Sequence, residues 1–414
     1  MADFQMVSSL MVPGQTRPQT IRDGHDVAVP ESARSPMSSV GAPQSDLTRS
    51  VYCVLGIPID AINLATVIDR IVVAAANRTA LLISTPNLNF LVGSLSDPEF
   101  RESLLDSDLC SPDGAPIVWI ARLLGLPINE RVAGSDLVDR LQAPDAQTRR
   151  LTVFLFGGAS GVAAAAARKI NAAPGGLNCV GTMDPGFCKV SEMSQDHIID
   201  TINSSGADFL SVSLGAKKGQ LWLHRNHNRL TIPVRAHLGA AINFQAGIIK
   251  RAPPMIRAWG LEWLWRIKEE HYLWKRYLND GLVLLRLLMT RVLPLAVITG
   301  WHQFKRKHQR HGLLIKKSHD DQTILISLCG NASERHVPKA IACFQEALTG
   351  NQNITIDLSN TRLIDARFLG LLLMLRKELR NRGARLVFTG VSGAIRRIFR
   401  LSELRFLLSP APHE

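Results

Sequence analysis

Cysteine is scarce and scattered: Cys53, Cys110, Cys179, Cys188, Cys329 and Cys343 lie far apart, with no CxxC pair. That spacing argues against a disulfide framework and a thiolate zinc site, and fits reduced thiols in a cytosolic protein. Zinc-finger spacing, an RNP-like aromatic motif and a long Lys/Arg run are also missing. A net charge of +13 and a pI near 9.8 therefore point to a nucleotide-sugar or an anionic membrane rather than to nucleic acid. The first residues lack a basic stretch followed by an apolar one, so no secretory signal is expected. The most apolar run, 282–299, is broken by Arg286, Arg291 and Pro294. A spanning helix wants about 20 nearly uncharged residues. An interfacial or core helix is expected there instead.

What is present suffices for two domains in 414 residues. Residues 1–48 are rich in Pro, Ser, Gly and Gln without an apolar period and read as a disordered tail. From Val51 short β-branched runs alternate with helical periodicity: strands at 80–84, 151–156, 209–213 and 234–238, helices at 61–77 and 161–172. This alternation predicts an α/β fold, a Rossmann-like parallel sheet with helices on both faces, over 49–247. Ligands of such sheets bind at the carboxyl ends of the strands. Residues 248–311 form a basic, helical, tryptophan-rich appendage ending in the connector Trp301 to His311. A smaller α/β unit fills 312–414, with strands at 313–317, 323–328, 354–357 and 385–389 and helices at 338–349, 368–380 and 393–400.

The chemistry-bearing residues fall at the expected strand ends. Ser84-Thr85-Pro86-Asn87 offers a hydroxyl and an amide for a sugar ring, although such a turn also serves simply to cap a helix. Asp113, between Pro112 and Gly114, marks a turn or a positioned carboxylate. Arg131, in Glu130-Arg131-Val132-Ala133-Gly134-Ser135-Asp136, suits a diphosphate by its planar guanidinium, or pairs with Glu130 or Asp136. Gly157 and Gly158 close one strand before a helix whose N-terminus favours phosphate. In the appendage, Trp259, Trp263, Trp265 and Trp274 stand among Lys250, Arg251, Arg257, Arg266, Lys268, Lys275 and Arg276. That is the composition of a helix at a lipid interface, or of a core helix with a basic edge.

The order RAP at 251–253, GLEW at 260–263 and the basic pair Arg276-Tyr277 resembles the C-terminal signature of the WecG/TagA/CpsF glycosyltransferases, which build bacterial surface polysaccharides on lipid carriers. The resemblance covers residues 51–277 and includes TPN at 85–87, PDG at 112–114 and ERVxGxD at 130–136. It implies that Thr85 and Asn87 contact sugar, that Asp113 is the general base of an inverting transfer, and that Arg131 stabilises the leaving UDP. It also places Gly157 and Gly158 near the nucleotide. The stretch from Leu214 to Trp222 resembles LGxPKQExW with departures. Lys218 and Trp222 keep their places, Lys217 replaces Pro, and the usual Gln and Glu fall at Gly219 and Gln220. Gln220 is expected to take over the amide contact, or else the contacts to the donor differ. Asn243 stands where the family more often has Asp. Arg251, Arg257, Arg266 and Arg276 are expected to hold the diphosphates of donor and lipid carrier. No DxD pair sits where a metal bridge belongs: Asp106-Ser107-Asp108 precedes the base candidate and Asp320-Asp321 lies in the second unit. With arginines available, no metal and no cofactor is expected beyond the UDP-sugar substrate.

The phrase from Ile354 to Ser392 is similar to STAS domains, in the order Asp357-Leu358-Ser359, Ile364-Asp365, Leu369-Gly370 and Gly383. The loop serine that regulatory members phosphorylate is Ala366 here, so no phosphoserine switch is expected at that loop. The helix from Phe368 is expected to remain free to dock a protein partner, and the unit supplies no candidate site residue.

The combined expectation is an enzyme at the inner face of the plasma membrane. It would move an N-acetylmannosamine-, glucose- or uronic-type sugar from UDP to a polyprenyl-diphosphate-linked acceptor. A non-catalytic scaffold would not need the PDG and ERVAGSD motifs, and a nucleic-acid binder rests on charge alone.

Overall fold

The structure is a computed structural model that describes residues 45–143, 150–306, 312–320 and 323–408. The described residues open with a tight turn, Asp46–Thr48, and a hairpin of β1 (Val51–Val54) and β2 (Ile57–Asp60). Leu55 and Gly56 both take positive φ at its tip, as a two-residue hairpin loop requires. A βα series follows: α1 (Leu64–Asn77), β3 (Leu81–Ser84), α2 (Leu88–Ser96), α3 (Pro98–Leu105), β4 (Leu109–Cys110), α4 (Ala115–Leu123) and α5 (Gly134–Gln142). It continues through β5 (Leu151–Gly157), α6 (Val162–Ala172), β6 (Leu177–Met183), α7 (Asp196–Ser204), β7 (Phe209–Ser213), α8 (Ala216–Asn226), β8 (Val234–His237) and α9 (Ala241–Ala246).

Strands β3 to β8 form one six-stranded sheet, parallel throughout, in the order β4-β3-β8-β7-β5-β6. Alternate residues feed opposite faces, as the period of two demands. Ile83, Val153, Leu155, Phe209 and Val234 pack with α1, α5, α6 and α9, while Leu82, Phe154, Phe156, Leu210 and Val212 pack with α7 and α8. After β5 the chain turns outward to β6, and after β7 it turns the other way to β8. Adjacent strands with opposite exits open a crevice at their carboxyl ends, the place where doubly wound sheets bind ligands.

The appendage comprises α10 (Pro254–Ala258), α11 (Glu262–Glu269), α12 (Trp274–Leu287), a π turn over Leu288–Val292 and α13 (Leu293–Arg306). Pro294 lacks the N–H that the Thr290 carbonyl would accept, and the wider turn absorbs the misfit. The expected connector at 301–311 continues α13 as far as Arg306; residues 307–311 lie outside the described ones. His271–Gly300 is, by length and composition, a helix long and apolar enough to cross a membrane.

The second unit has β9 (Leu313–Asp320), β10 (Thr323–Ala332), α14 (Val337–Ala347), β11 (Asn353–Asp357), β12 (Thr361–Ile364), α15 (Ala366–Asn381), β13 (Leu386–Thr389) and α16 (Gly393–Leu401). β9 pairs antiparallel with β10, and β12-β10-β11-β13 run parallel.

Two expectations fail at the junction between the units. Residues 1–44 lie outside the described ones, but the tail does not extend to 48: Leu47 is fully buried in the core of the second unit. Nor is the helix from Phe368 a free docking face. Hairpin strand β1 lies on α15, with Val51 and Cys53 packed into the second unit and Tyr52 and Val54 into the first. The strand is a wall shared by both cores. Gly370 permits the approach, since a Cβ there would stand 2.2 Å from the Val51 carbonyl oxygen. Arg367 donates to the carbonyls of Val51 (3.2 Å) and Arg49 (2.9 Å), and Lys377 reaches Asp46 (2.8 Å) and Asp108 (2.9 Å). Arg376 and Arg380 both hold Glu102.

Candidate active site at the carboxyl edge of the sheet

Three of the sequence motifs are stitched together by backbone hydrogen bonds. The Asp113 N–H donates to the Pro86 carbonyl (3.0 Å), and the Val132 N–H donates to Pro112 (2.8 Å). The Ser111 hydroxyl donates to Val132 (3.1 Å). Asn87 caps α2 by accepting the Phe90 N–H at 3.2 Å, and Thr85 is buried beside it. Gly114 adopts φ +86°, and a Cβ there would come within 3.7 Å of Asn87. The turn chemistry of TPN and PDG thus holds Asn87 and Asp113 on adjoining loops.

Around Asp113 gather Arg131, Asp136 and the appendage. Arg131 stands 4.0 Å from the Asp113 carboxylate and donates to Glu262 (3.0 Å) and Asp136 (2.8 Å). Its partner is therefore Asp136 rather than Glu130, which instead accepts the Leu64 N–H. Asp136 also faces Arg251 and, at 3.7 Å, Arg257; Arg251 further engages Asp139 and the Ser135 hydroxyl. Gly260 lets the appendage close on α4, since a Cβ there would lie 2.7 Å from that of Ala115. Burial pushes the Asp113 carboxyl up to about 7. Arg131 and Arg266 oppose the rise, whereas Glu262 and Asp136 add to it. A carboxylate poised near neutrality is suited to accept a proton. Glu262, Asp136 and Asp139 were not assigned roles from sequence. Asp136 and Glu262 carry a signal as members of ERVxGxD and GLEW, while for Asp139 the signal is an acid set among arginines.

The remaining candidates sit elsewhere. Gly157 (φ +101°) and Gly158 (φ +93°) lie at the end of β5, three strands from β3 and so roughly 14 Å along the edge at strand spacing. A Cβ on Gly157 would stand 2.7 Å from the Ser213 carbonyl oxygen, so the glycine there also serves the β5–β7 junction. Lys218 donates to the Cys188 carbonyl at 3.0 Å. Gln220 corrects the expectation of an amide contact: it is fully buried against α3, donating to the Ser103 carbonyl at 3.0 Å, and faces no open site. The neighbouring departure has a packing cause, because a Cβ on Gly219 would lie 2.1 Å from the His237 ring. Arg266 is held by Glu270 (3.1 Å) and senses Asp113 electrostatically, whereas Arg276 rests over the Tyr277 ring at 5.1 Å. No group of three metal-ligating side chains occurs among the described residues.

Residues 52–296 match the glycosyl transferase WecG/TagA/CpsF family, and residues 315–409 match the STAS domain family described as Mlab, STAS domain. An N-acetylglucosaminyldiphosphoundecaprenol N-acetyl-beta-D-mannosaminyltransferase of Bacillus spizizenii is 28% identical over 204 residues, which are 49% of this chain and 76% of that protein. An enzyme of the same description from Bacillus subtilis is 25% identical over 202 residues, 49% of this chain and 77% of its own. A crystal structure of an antisigma-factor antagonist STAS domain from Rhodobacter sphaeroides, 23% identical, covers 20% of this chain and 95% of its own with a TM-score of 0.17. The family match takes in the whole parallel sheet, the PDG and ERVAGSD loops and most of the appendage, and the chain belongs to the WecG/TagA/CpsF glycosyltransferases, with a STAS domain fused behind.

Proposed function

We propose that the chain transfers a hexosyl unit from UDP to a sugar carried on a polyprenyl diphosphate, as the names of its relatives suggest for the acceptor. The observation that carries this reading is Asp113: a carboxyl pushed up to about 7, 4.0 Å from Arg131, in the loop after β4 at the carboxyl edge of the sheet. The acceptor hydroxyl oxygen attacks the anomeric carbon from the face opposite the leaving group. Its proton passes to the Asp113 carboxylate as the bond from the anomeric carbon to the UDP oxygen breaks, and the electron pair leaves on the β-phosphate. Anomeric configuration inverts. Thr85 and Asn87 border the sugar, and the crevice running toward Gly157 and Gly158 accommodates the nucleotide.

Arg131, Arg251 and Arg257 take the diphosphate charge without a metal ion. Each is paired with Asp136, Asp139 or Glu262, so phosphate oxygens would compete with these carboxylates for the guanidinium groups. N-acetylmannosamine is the sugar of the relatives' names, and glucose- or uronic-type donors are the alternatives.

The acceptor's lipid requires a membrane surface, and α12–α13 supply one. Leu278, Leu282, Leu285, Met289 and Val297 are each more than half exposed and recur at helical spacing. The opposite flank, Leu287, Val292 and Leu295, packs on α4 and on Leu401 of α16. Because that flank packs on helices of the two α/β units, this helix is read as lying in the interface plane with its exposed flank toward lipid. The attachment is monotopic, on the cytoplasmic face. Incubation with UDP-N-acetylmannosamine and a prenyl-diphosphate-linked N-acetylglucosamine is the test. UDP release that needs both substrates supports the reading, and no release with any UDP-hexose refutes it.

A further inference from the structure

Helix α16 carries three arginines and no acid on the face it turns to solvent, and Arg405 follows in the next turn. Ile395, Ile398 and Phe399 are buried, whereas Arg396, Arg397 and Arg400 stand exposed on the opposite side. With Arg405, Leu408 and Gly393 they line a cleft of about 480 Å³. Among the described residues no carboxylate pairs with any of the four. Nearby, Arg376 and Arg380 pair with Glu102, Arg382 with Glu378 and Arg291 with Glu403, while Arg101 stacks on the Phe406 ring at 4.0 Å. Arg396 and Arg400 sit one turn apart, a spacing at which like charges repel. Among the described residues, positive charge thus gathers around a hollow without a carboxylate partner. Guanidinium pairs of this kind grip phosphate oxygens bidentately. The volume exceeds that of a single phosphate and lies in the range of pockets that hold whole organic ligands. Leu408 supplies one apolar wall.

We propose that this cleft of the STAS unit binds a phosphate ester borne on an organic group, at a site separate from the Asp113 crevice. A soluble nucleotide and an anionic phospholipid headgroup share that chemistry. Ile395, Ile398 and Phe399 pack into the core of the STAS unit, while Leu401 at the end of α16 packs with Leu287, Val292 and Leu295 of the membrane-facing appendage.

The test uses the full chain and three forms: wild type, the double variant Arg396→Gln/Arg400→Gln, and the charge-matched control Arg362→Gln/Arg385→Gln. All four positions are exposed, and circular dichroism and melting verify the fold. In the soluble arm, ATP is titrated calorimetrically at about 0.1 M salt, where the Debye length is about 10 Å. In the lipid arm, phosphatidylglycerol and phosphatidylcholine vesicles are compared by co-sedimentation. We expect the cleft variant to lose about tenfold or more in one arm relative to the control. For vesicles the loss is roughly 25-fold, at about fivefold per arginine near an anionic surface. The arm that responds identifies the source. Equal weakening in the cleft variant and the control, or no difference from wild type in either arm, overturns the proposal.

Discussion

Moving the Asp113 carboxylate from water into the cluster beside Glu262 and Asp136 penalises its ionised form, and Arg131 at 4.0 Å only partly offsets the penalty. The consequence reaches beyond catalysis. Between the ordinary carboxyl value near 4 and the folded value of about 7, Asp113 is protonated in the native state and ionised in the unfolded one. Stability from this group is thus present at low pH and lost as pH rises through that window. Asp113→Asn is expected to melt higher than wild type at pH 8, with the gain shrinking to nothing near pH 4. A variant that is less stable at pH 8 contradicts the burial cost. Arg131 divides its donors between Glu262 and Asp136. A lysine cannot reproduce that fork. Arg131→Lys should lower kcat/KM by about 10- to 100-fold with the fold retained, read by steady-state kinetics. The Asp136 partnership is readable five positions along the chain, whereas Glu262 is hidden because Arg131 meets it across 131 positions. The TPN and PDG motifs were readable, since their turn chemistry is local.

At the level of elements, the junction between hairpin and α15 turns on one glycine. Alanine ordinarily stabilises a helix interior over glycine by about 1 kcal/mol. At Gly370 the sign should reverse, because the new Cβ would stand 2.2 Å from the Val51 carbonyl oxygen. Gly370→Ala is predicted to cost about 1–3 kcal/mol by chemical denaturation. Gly281 in α12 has nothing within 4 Å of its would-be Cβ, so Gly281→Ala should gain about 1 kcal/mol. If both change stability in the same direction, the shared-wall description is wrong. The sequence did carry a sign of this junction. Leu369 to Leu375 is apolar without a break, and a helix apolar on all sides is buried on all sides. The hairpin itself was harder to read, having Leu55 at a positive φ where asparagine or glycine is usual. Strand β6 was obscured by Gly181, which resembles a breaker; its missing Cβ leaves room for the Phe154 ring. The parallel strands β3, β5, β7 and β8 were legible from β-branched runs bounded by turns. The exposed flank of α12–α13 predicts binding to phosphatidylglycerol vesicles, through apolar insertion aided by basic residues. Salt should weaken the binding as the Debye length falls from about 10 Å at 0.1 M to about 3 Å at 1 M.

For the whole molecule, the two cores cannot be separated as the order of motifs along the chain suggests. Removing residues from 312 onward would expose Leu47, Val51, Cys53 and Leu105, and would leave Asp108 without Lys377. Asp108 accepts the Leu82 N–H of β3, whose strand leads directly into the TPN loop. The truncated chain is therefore expected to aggregate or to melt well below the full chain, even though the second unit lends no side chain to the Asp113 crevice. A truncated chain with the thermal stability and turnover of the full one would show that the wall of β1 is dispensable. The candidate site is thus assembled by the parallel sheet and the appendage, and steadied from behind by the STAS unit. The most direct test of the assignment is the pH dependence of UDP release by the full chain, in EDTA, with UDP-N-acetylmannosamine and a prenyl-diphosphate-linked acceptor. With Asp113 as base, kcat/KM falls tenfold per pH unit below about 7, and Asp113→Asn loses about 10²–10⁴-fold and that acid limb together. An acid limb that persists in the Asn variant, or turnover near wild type, would contradict the account.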